Sequence, residues 1–221
     1  AKSRLVSVVG DQRAALALAF ARDTVGAALR CDAVASVTVV TGDPLVASAM
    51  SADGAHVAPE AAPSGVVSKA AASGLNGALA VGLRAMPESG RVAVVLGDLP
   101  AITPAALARA LMLASRYDTA FVPDSDGTGT TVLTAQHRSL LVLRFGLGSA
   151  SAHAETGAVR VGGPGLRRVR RDVDDLPGLI EAMRMGIGKH TRAAVDATEL
   201  YKQVPQEVDH STLFLESTAG W

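Results

Sequence analysis

Apolar positions along the chain fall into alternating helix-period and strand-period blocks. In residues 12–29, Leu16, Leu18, Phe20, Ala21 and Val25 form one apolar stripe, which predicts a helix with Asp11 as its N-cap. Residues 36–41 (SVTVVT) are β-branched and short, and predict a strand. Residues 43–50 predict a helix and 56–58 a short strand. The Ala- and Leu-rich stretch 69–86 predicts a long helix, weakened near its start by Gly74 and Gly77. Residues 91–96 (RVAVVL) are nearly all apolar, as in a strand buried on both faces. Thr103 and Pro104 open a helix that runs to about Ser115, with proline at the permitted first position. Residues 119–122 and 130–135 predict strands flanking the loop PDSDGTG. Beyond them, 149–156 reads as a helix, 159–161 and 166–173 as strand pieces, 177–185 as a helix and 189–195 as a further turn or two. Strands alternating with helices predict an α/β fold whose sheet is mostly parallel, with helices on both faces. Residues 196–221 carry five carboxylates, one lysine and the sole tryptophan, and read as a tail.

Composition narrows the function classes. A chain of 221 residues is near the size of one domain, and 48% hydrophobic residues suffice for a core. Lys+Arg and Asp+Glu are both 21, which argues against a broadly basic nucleic-acid binder, and 3% aromatics argue against a base-stacking platform. With Cys31 as its only cysteine, the chain cannot form an internal disulfide, a Cys-based zinc site or a CxxC pair, and it fits a reducing, cytoplasmic compartment. No apolar run reaches the roughly 18–20 residues of a membrane span, and AKSRL holds no signal-peptide core. The patterns GxxxxGK[ST], HExxH and GxSxG are absent. Gly146-x-Gly148-x-x-Ser151 lacks the third glycine of a dinucleotide fingerprint.

Ligands of open α/β sheets sit at the carboxyl ends of strands. Asp98 occupies such a place, after VAVVLG, and Gly97 beside it lets a ligand approach the backbone. It reads equally as a Mg²⁺ ligand holding phosphate oxygens or as a turn or cap aspartate. Asp172 and Asp174, two apart on a predicted strand, would share a face and repel unless a cation neutralises them. Arg167, Arg168, Arg170 and Arg171 offer that neutralisation too, and Asp174 or Asp175 could cap the next helix. In Asp126-Gly127-Thr128-Gly129-Thr130-Thr131, backbone N–H groups and hydroxyls can converge on an anion, or the glycines simply turn the chain. Phe145-Gly146-Leu147-Gly148-Ser149 opens onto a predicted helix, where Ser149 reads as a phosphate contact or as an N-cap. His153 reads as a surface or supporting residue, since no companion ligand stands at metal spacing.

The segments LGDLP, DGTGTTVL, RFGLGSASAH and RDVDDLPGL, in this order and spacing, resemble the guanylyltransferases of coenzyme F-420 biosynthesis. The likeness covers about residues 1–195, and the G-L-N element within 68–79 adds to it. The resemblance implies a Rossmann-like nucleotidyltransferase (GT-A-like) fold. It also implies GTP as donor and phosphoenolpyruvate or 2-phospho-L-lactate as acceptor. Carried over by position, Asp98 and Asp172 would bind Mg²⁺ with Asp174 adjacent. Thr128, Gly129, Thr130, Gly146 and Ser149 would hold the phosphoacid. Lys2, Arg4, Asn76 and Gly97 would lie at the nucleotide. An acceptor phosphate oxygen would attack the α-phosphorus of GTP and pyrophosphate would leave, with no covalent enzyme intermediate. Phosphoenolpyruvate is the preferred acceptor, and a homodimer is left open. A molybdopterin-type guanylyltransferase explains GDLP but not FGxxS together with DGTGT. A non-catalytic binding paralogue is the further alternative. The family begins with a strand and a basic segment before AKSRL, so the expectation is that this sequence starts late; 211–215 (STLFL) is the other candidate for the missing strand.

Overall fold

The computed structural model describes residues 12–60, 74–88 and 90–198. The expected cap Asp11, Lys2, Arg4, the helix start at 69–73 and the candidate strand 211–215 lie outside them. Eight α-helices and six strands follow one another among the described residues: α1 (Arg13–Leu29), β1 (Thr38–Thr41), α2 (Pro44–Ala52), β2 (His56–Pro59), α3 (Gly74–Ala85), β3 (Val92–Val95), α4 (Pro104–Ala114), β4 (Thr119–Pro123), β5 (Thr130–Ala135), α5 (Ser149–Glu155), β6 (Val159–Arg160), α6 (Arg167–Arg170), α7 (Leu176–Met185) and α8 (Lys189–Ala197).

Helix starts follow their capping chemistry. The Asp43 carboxylate accepts from the backbone N–H of Leu45 at 2.8 Å, and Thr103 Oγ1 accepts from that of Ala106 at 3.2 Å, each just before a proline at the first helical position. Asp175, not Asp174, caps α7, accepting from the Gly178 N–H at 2.9 Å.

The α/β reading holds, but the larger sheet is mixed. β1 and β2 pair in parallel, with Thr38 opposite His56. The other sheet has the order β3-β5-β4-β6; β5 runs antiparallel to both β3 and β4, and only β6 joins β4 in parallel. The reason is the loop at 124–129, which is far too short for the crossover that a parallel pair needs. The second correction concerns residues 166–173, which form the short helix α6 and an irregular segment instead of a strand. Leu166, Val169 and Val173 are all wholly buried. Their spacing of three and then four residues is helical, so the alternation that put Asp172 and Asp174 on one strand face does not apply.

Helix α1 ties the layers together. Leu16 and Phe20 pack with Leu179 and Ala182 of α7 and Val195 of α8. Val25 meets Met50 of α2, and Ala27 joins the cluster of Leu99, Leu107 and Val169. Arg22 forks onto the Asp53 carboxylate at 2.8 and 2.7 Å, fastening α1 to the end of α2. On the opposite side, Leu79 and Leu83 of α3 cover Val94, Phe121, Leu133 and Phe145.

Candidate active site

The turn Gly97–Pro100 leaves the carboxyl end of β3 and is held from two sides. Thr24 of α1 donates its hydroxyl to the Phe20 carbonyl at 2.9 Å and accepts the Leu99 N–H at 3.2 Å, which sets the backbone just past Asp98. The Val173 N–H donates to the Asp98 carbonyl at 3.0 Å. That bond lays the segment after α6 beside the turn, so Asp98 and Asp172 come together although 74 positions separate them in the sequence. Gly97 is exposed, and a side chain there would touch only the Ala21 methyl at 3.8 Å, which leaves the backbone open to a ligand.

The Asp172 carboxyl is pushed up to about 7 by its burial and then by the nearby charges of Asp98, Asp124 and Asp174. Three of the four arginines expected to offer neutralisation here are engaged elsewhere. Arg168 donates to the Ala101 and Gly186 carbonyls, Arg170 to those of Pro123, Asp124 and Ser125, and Arg171 pairs with Glu181 at 2.5 Å. A buried carboxyl whose ionisation is opposed by a neighbouring carboxylate is a donor set that suits a divalent cation. Among the described residues no group of three or more His, Cys, Asp or Glu is placed to hold a metal ion. Mg²⁺ commonly takes one or two protein carboxylates and completes its shell with water and phosphate oxygens. The pair fits that requirement.

The shift carries a stability signature. The folded value of about 7 lies above the ordinary 3.8, so between them the folded chain binds more protons than the unfolded one. Asp172 therefore adds stability at low pH, and that contribution is lost as pH rises through about 7. In metal-free buffer, the melting temperature measured against Asp172→Asn should rise by a few degrees from about pH 8 to about pH 5.5. Equal slopes in the two proteins would refute the assignment.

The DGTG loop is an anion nest occupied by the chain itself. The Asp124 carboxylate accepts the N–H of Thr128 at 3.0 Å and of Gly129 at 2.7 Å, the donors expected to face a phosphate. A carboxylate four and five residues upstream reaches them without the entropy loss a free anion suffers. Thr130, at the start of β5, is buried and its Oγ1 lies 2.9 Å from His153 Nδ1. In the next loop, Gly146 and Gly148 adopt φ of +132° and +72°, values that side chains disfavour, and Leu147 between them is fully exposed. Gly148 occupies the N-cap position of α5, so Ser149 is the first helical residue and is buried.

Asn76, expected beside the nucleotide, is bonded to the Phe145 backbone through both ends of its amide. The structure also brings forward Thr24 and Asp124, which the sequence reading passed over, and His153, read as a surface or supporting residue, is wholly buried. His153 stands four residues after Ser149, on the same helical face, and that spacing is the signal that marks it as inward-facing. A concavity of about 530 Å³, lined by Leu83, Arg84, Glu88, His137, Arg138 and Ser139, lies past the far end of β5 from Thr130 and contains none of these site groups.

With this geometry in place, comparison with known proteins gives the family. The family described as guanylyl transferase CofC-like matches residues 1–195. The chain belongs to this family. A phosphoenolpyruvate guanylyltransferase of Streptomyces avermitilis is 44% identical over 199 residues, 88% of this chain and 88% of the relative. Another, from Thermomonospora curvata, is 44% identical over 87% of this chain and 82% of its own length. A solved structure from Desulfovibrio desulfuricans, described as a nucleotide-diphospho-sugar transferase, superposes with a TM-score of 0.62 over 92% of this chain and 91% of its own. At 19% identity it shows the shared fold, which agrees with the GT-A-like expectation. This member of the guanylyl transferase family is thus a nucleotidyltransferase, and among its described residues no helix is long and apolar enough to cross a membrane.

Proposed function

We propose that this enzyme transfers GMP from GTP to phosphoenolpyruvate with release of pyrophosphate, as a step in coenzyme F-420 biosynthesis. What carries the reading is the name shared by relatives at 44% identity over most of the chain. The juxtaposed Asp98 and Asp172 support it. A phosphate oxygen of the acceptor forms a bond to the α-phosphorus of GTP, and the bond from that phosphorus to the bridging oxygen breaks, releasing pyrophosphate. The attacking oxygen is already anionic, so no general base is needed. The chain's work is in-line positioning and relief of repulsion between anions.

Asp98 and Asp172 would hold Mg²⁺, which when bound neutralises phosphate charge. Thr130, Gly146 and Ser149 are the groups we assign to the phosphoacid. The Thr128 and Gly129 amides instead serve the loop through Asp124. Gly97 lets the nucleotide approach the backbone, and Lys2 and Arg4 would meet the triphosphate.

The test is pyrophosphate release with GTP and Mg²⁺, comparing phosphoenolpyruvate, 2-phospho-L-lactate and no acceptor, with ATP as the nucleotide control. Release that needs GTP and phosphoenolpyruvate is the expected result. Preference for 2-phospho-L-lactate would reassign the acceptor, and release with ATP alone would overturn the nucleotide.

A further inference from the structure

The backbone that leads into the Gly146–Ser149 loop belongs to no sheet. After β5 and a single 3₁₀ turn at Arg138–Leu140, residues 141–145 run without regular structure. Backbone donors and acceptors there need partners from elsewhere. Asn76, in the first turn of α3, supplies two: its Nδ2 donates to the Phe145 carbonyl at 2.9 Å and its Oδ1 accepts the Phe145 N–H at 2.9 Å. One side-chain amide thus replaces a strand partner on both sides of a single residue.

His153 supplies the third bond, from the opposite side. Its Nε2 accepts the Arg144 N–H at 3.1 Å, and its ring meets that of Phe145 edge-on at 4.9 Å. A backbone N–H can only donate, so Nε2 must present its lone pair. In the neutral ring the proton then sits on Nδ1 and is donated to Thr130 Oγ1, 2.9 Å away. Complete burial favours that neutral form. The bond also obliges the Thr130 hydroxyl to direct its own hydrogen elsewhere.

We infer that Asn76 and His153 are positioning residues that clamp Arg144 and Phe145 from two sides and so set the glycine loop and Thr130 for the phosphorylated acceptor. This rests on the acceptor assignment of the proposed function and changes one part of the expected site: Asn76 acts on the acceptor side, not on the guanine nucleotide. The logic is local. Immediately after the clamp come two glycines in left-handed conformation and an exposed leucine, which have little packing of their own to define their path.

Three readouts test it. Steady-state kinetics of Asn76→Ala and of the near-isosteric Asn76→Asp, which retains one of the two bonds, should show KM for the phosphoacid raised roughly tenfold or more, with KM for GTP nearly unchanged. The aspartate variant sets an acceptor against the Phe145 carbonyl oxygen, so its KM for the phosphoacid should be raised as well. Hydrogen exchange should show protection lost at the Arg144 and Phe145 amides in Asn76→Ala and, for Arg144, in His153→Asn. In the unaltered protein, ¹⁵N NMR should show His153 as the neutral Nδ1–H tautomer, a measurement that needs no variant to fold. A rise in KM for GTP alone would return Asn76 to the nucleotide. Unchanged exchange at 144–149, or an Nε2–H tautomer, would overturn the clamp. Absence of transfer to any acceptor in wild type would refute the proposed function, while exchange and the tautomer would still decide the clamp.

Discussion

Asp98→Asn is expected to abolish guanylyl transfer while leaving the fold intact. The change removes one negative charge and almost no volume. The bond that docks the 171–174 segment runs from the Val173 N–H to the backbone carbonyl of Asp98, so it survives the substitution. The grip of Thr24 on the Leu99 N–H survives as well. What is lost is half of the carboxylate pair that would fix a divalent cation against the phosphates. Removing one such electrostatic element lowers turnover on the order of 10²- to 10⁴-fold. Pyrophosphate release over a Mg²⁺ titration measures the loss, and a thermal melt reports the fold. Asp98 also contributes to the raised Asp172 carboxyl, so in metal-free Asp98→Asn that carboxyl should move back toward its ordinary value. Turnover within about threefold of wild type would remove Asp98 from the metal site.

The largest effect on stability is expected far from any motif, at Gly188→Ala. The start of α8 is held by Asp23 of α1, whose carboxylate accepts the N–H of His190 at 3.1 Å and of Thr191 at 2.7 Å. Asp23 is buried, and the Gly188 N–H is itself bonded to the Pro100 carbonyl at 2.9 Å, at the end of the Gly97–Pro100 turn. A methyl group at Gly188 would sit inside the Asp23 carboxylate. Backbone strain is not the issue, since φ is −70°. Either the carboxylate leaves its donors or α8 shifts. Losing such a cap costs about 1–2 kcal/mol, and overpacking adds about 1–3 kcal/mol. The melting temperature should fall on the order of 10 °C. Gly162→Ala, where a side chain meets nothing within 4 Å, is the control and should change little. Equal melting of the two variants would refute the buried-cap account.

Much of this was legible in the chain itself. Capping signals placed α4 and α7 because a hydroxyl or carboxylate just ahead of an early proline acts within one turn and needs no distant partner. The apolar run before Gly97 located β3 and put Asp98 at a strand end. The order of LGDLP, DGTGT, FGLGS and RDVDD carried the family. The strand reading of 166–173 failed because β-branched and basic residues masked a three-then-four spacing of buried positions. The parallel sheet failed because strand direction depends on which strands share a short loop.

The sequence by itself determined which residue types stand at the turns and, through them, the reaction class of this protein. Local rules suffice there, since a cap, a glycine turn or a strand end is set by neighbours within a few positions. Tertiary structure alone decided who meets whom. It gave the Thr128 and Gly129 amides to Asp124, turned three arginines away from Asp172, and put Asn76 on Phe145 across 69 positions. Each of these is a contest among several charged or hydrogen-bonding groups for one partner. Its outcome depends on distance and burial, which the order of residues along the chain does not contain.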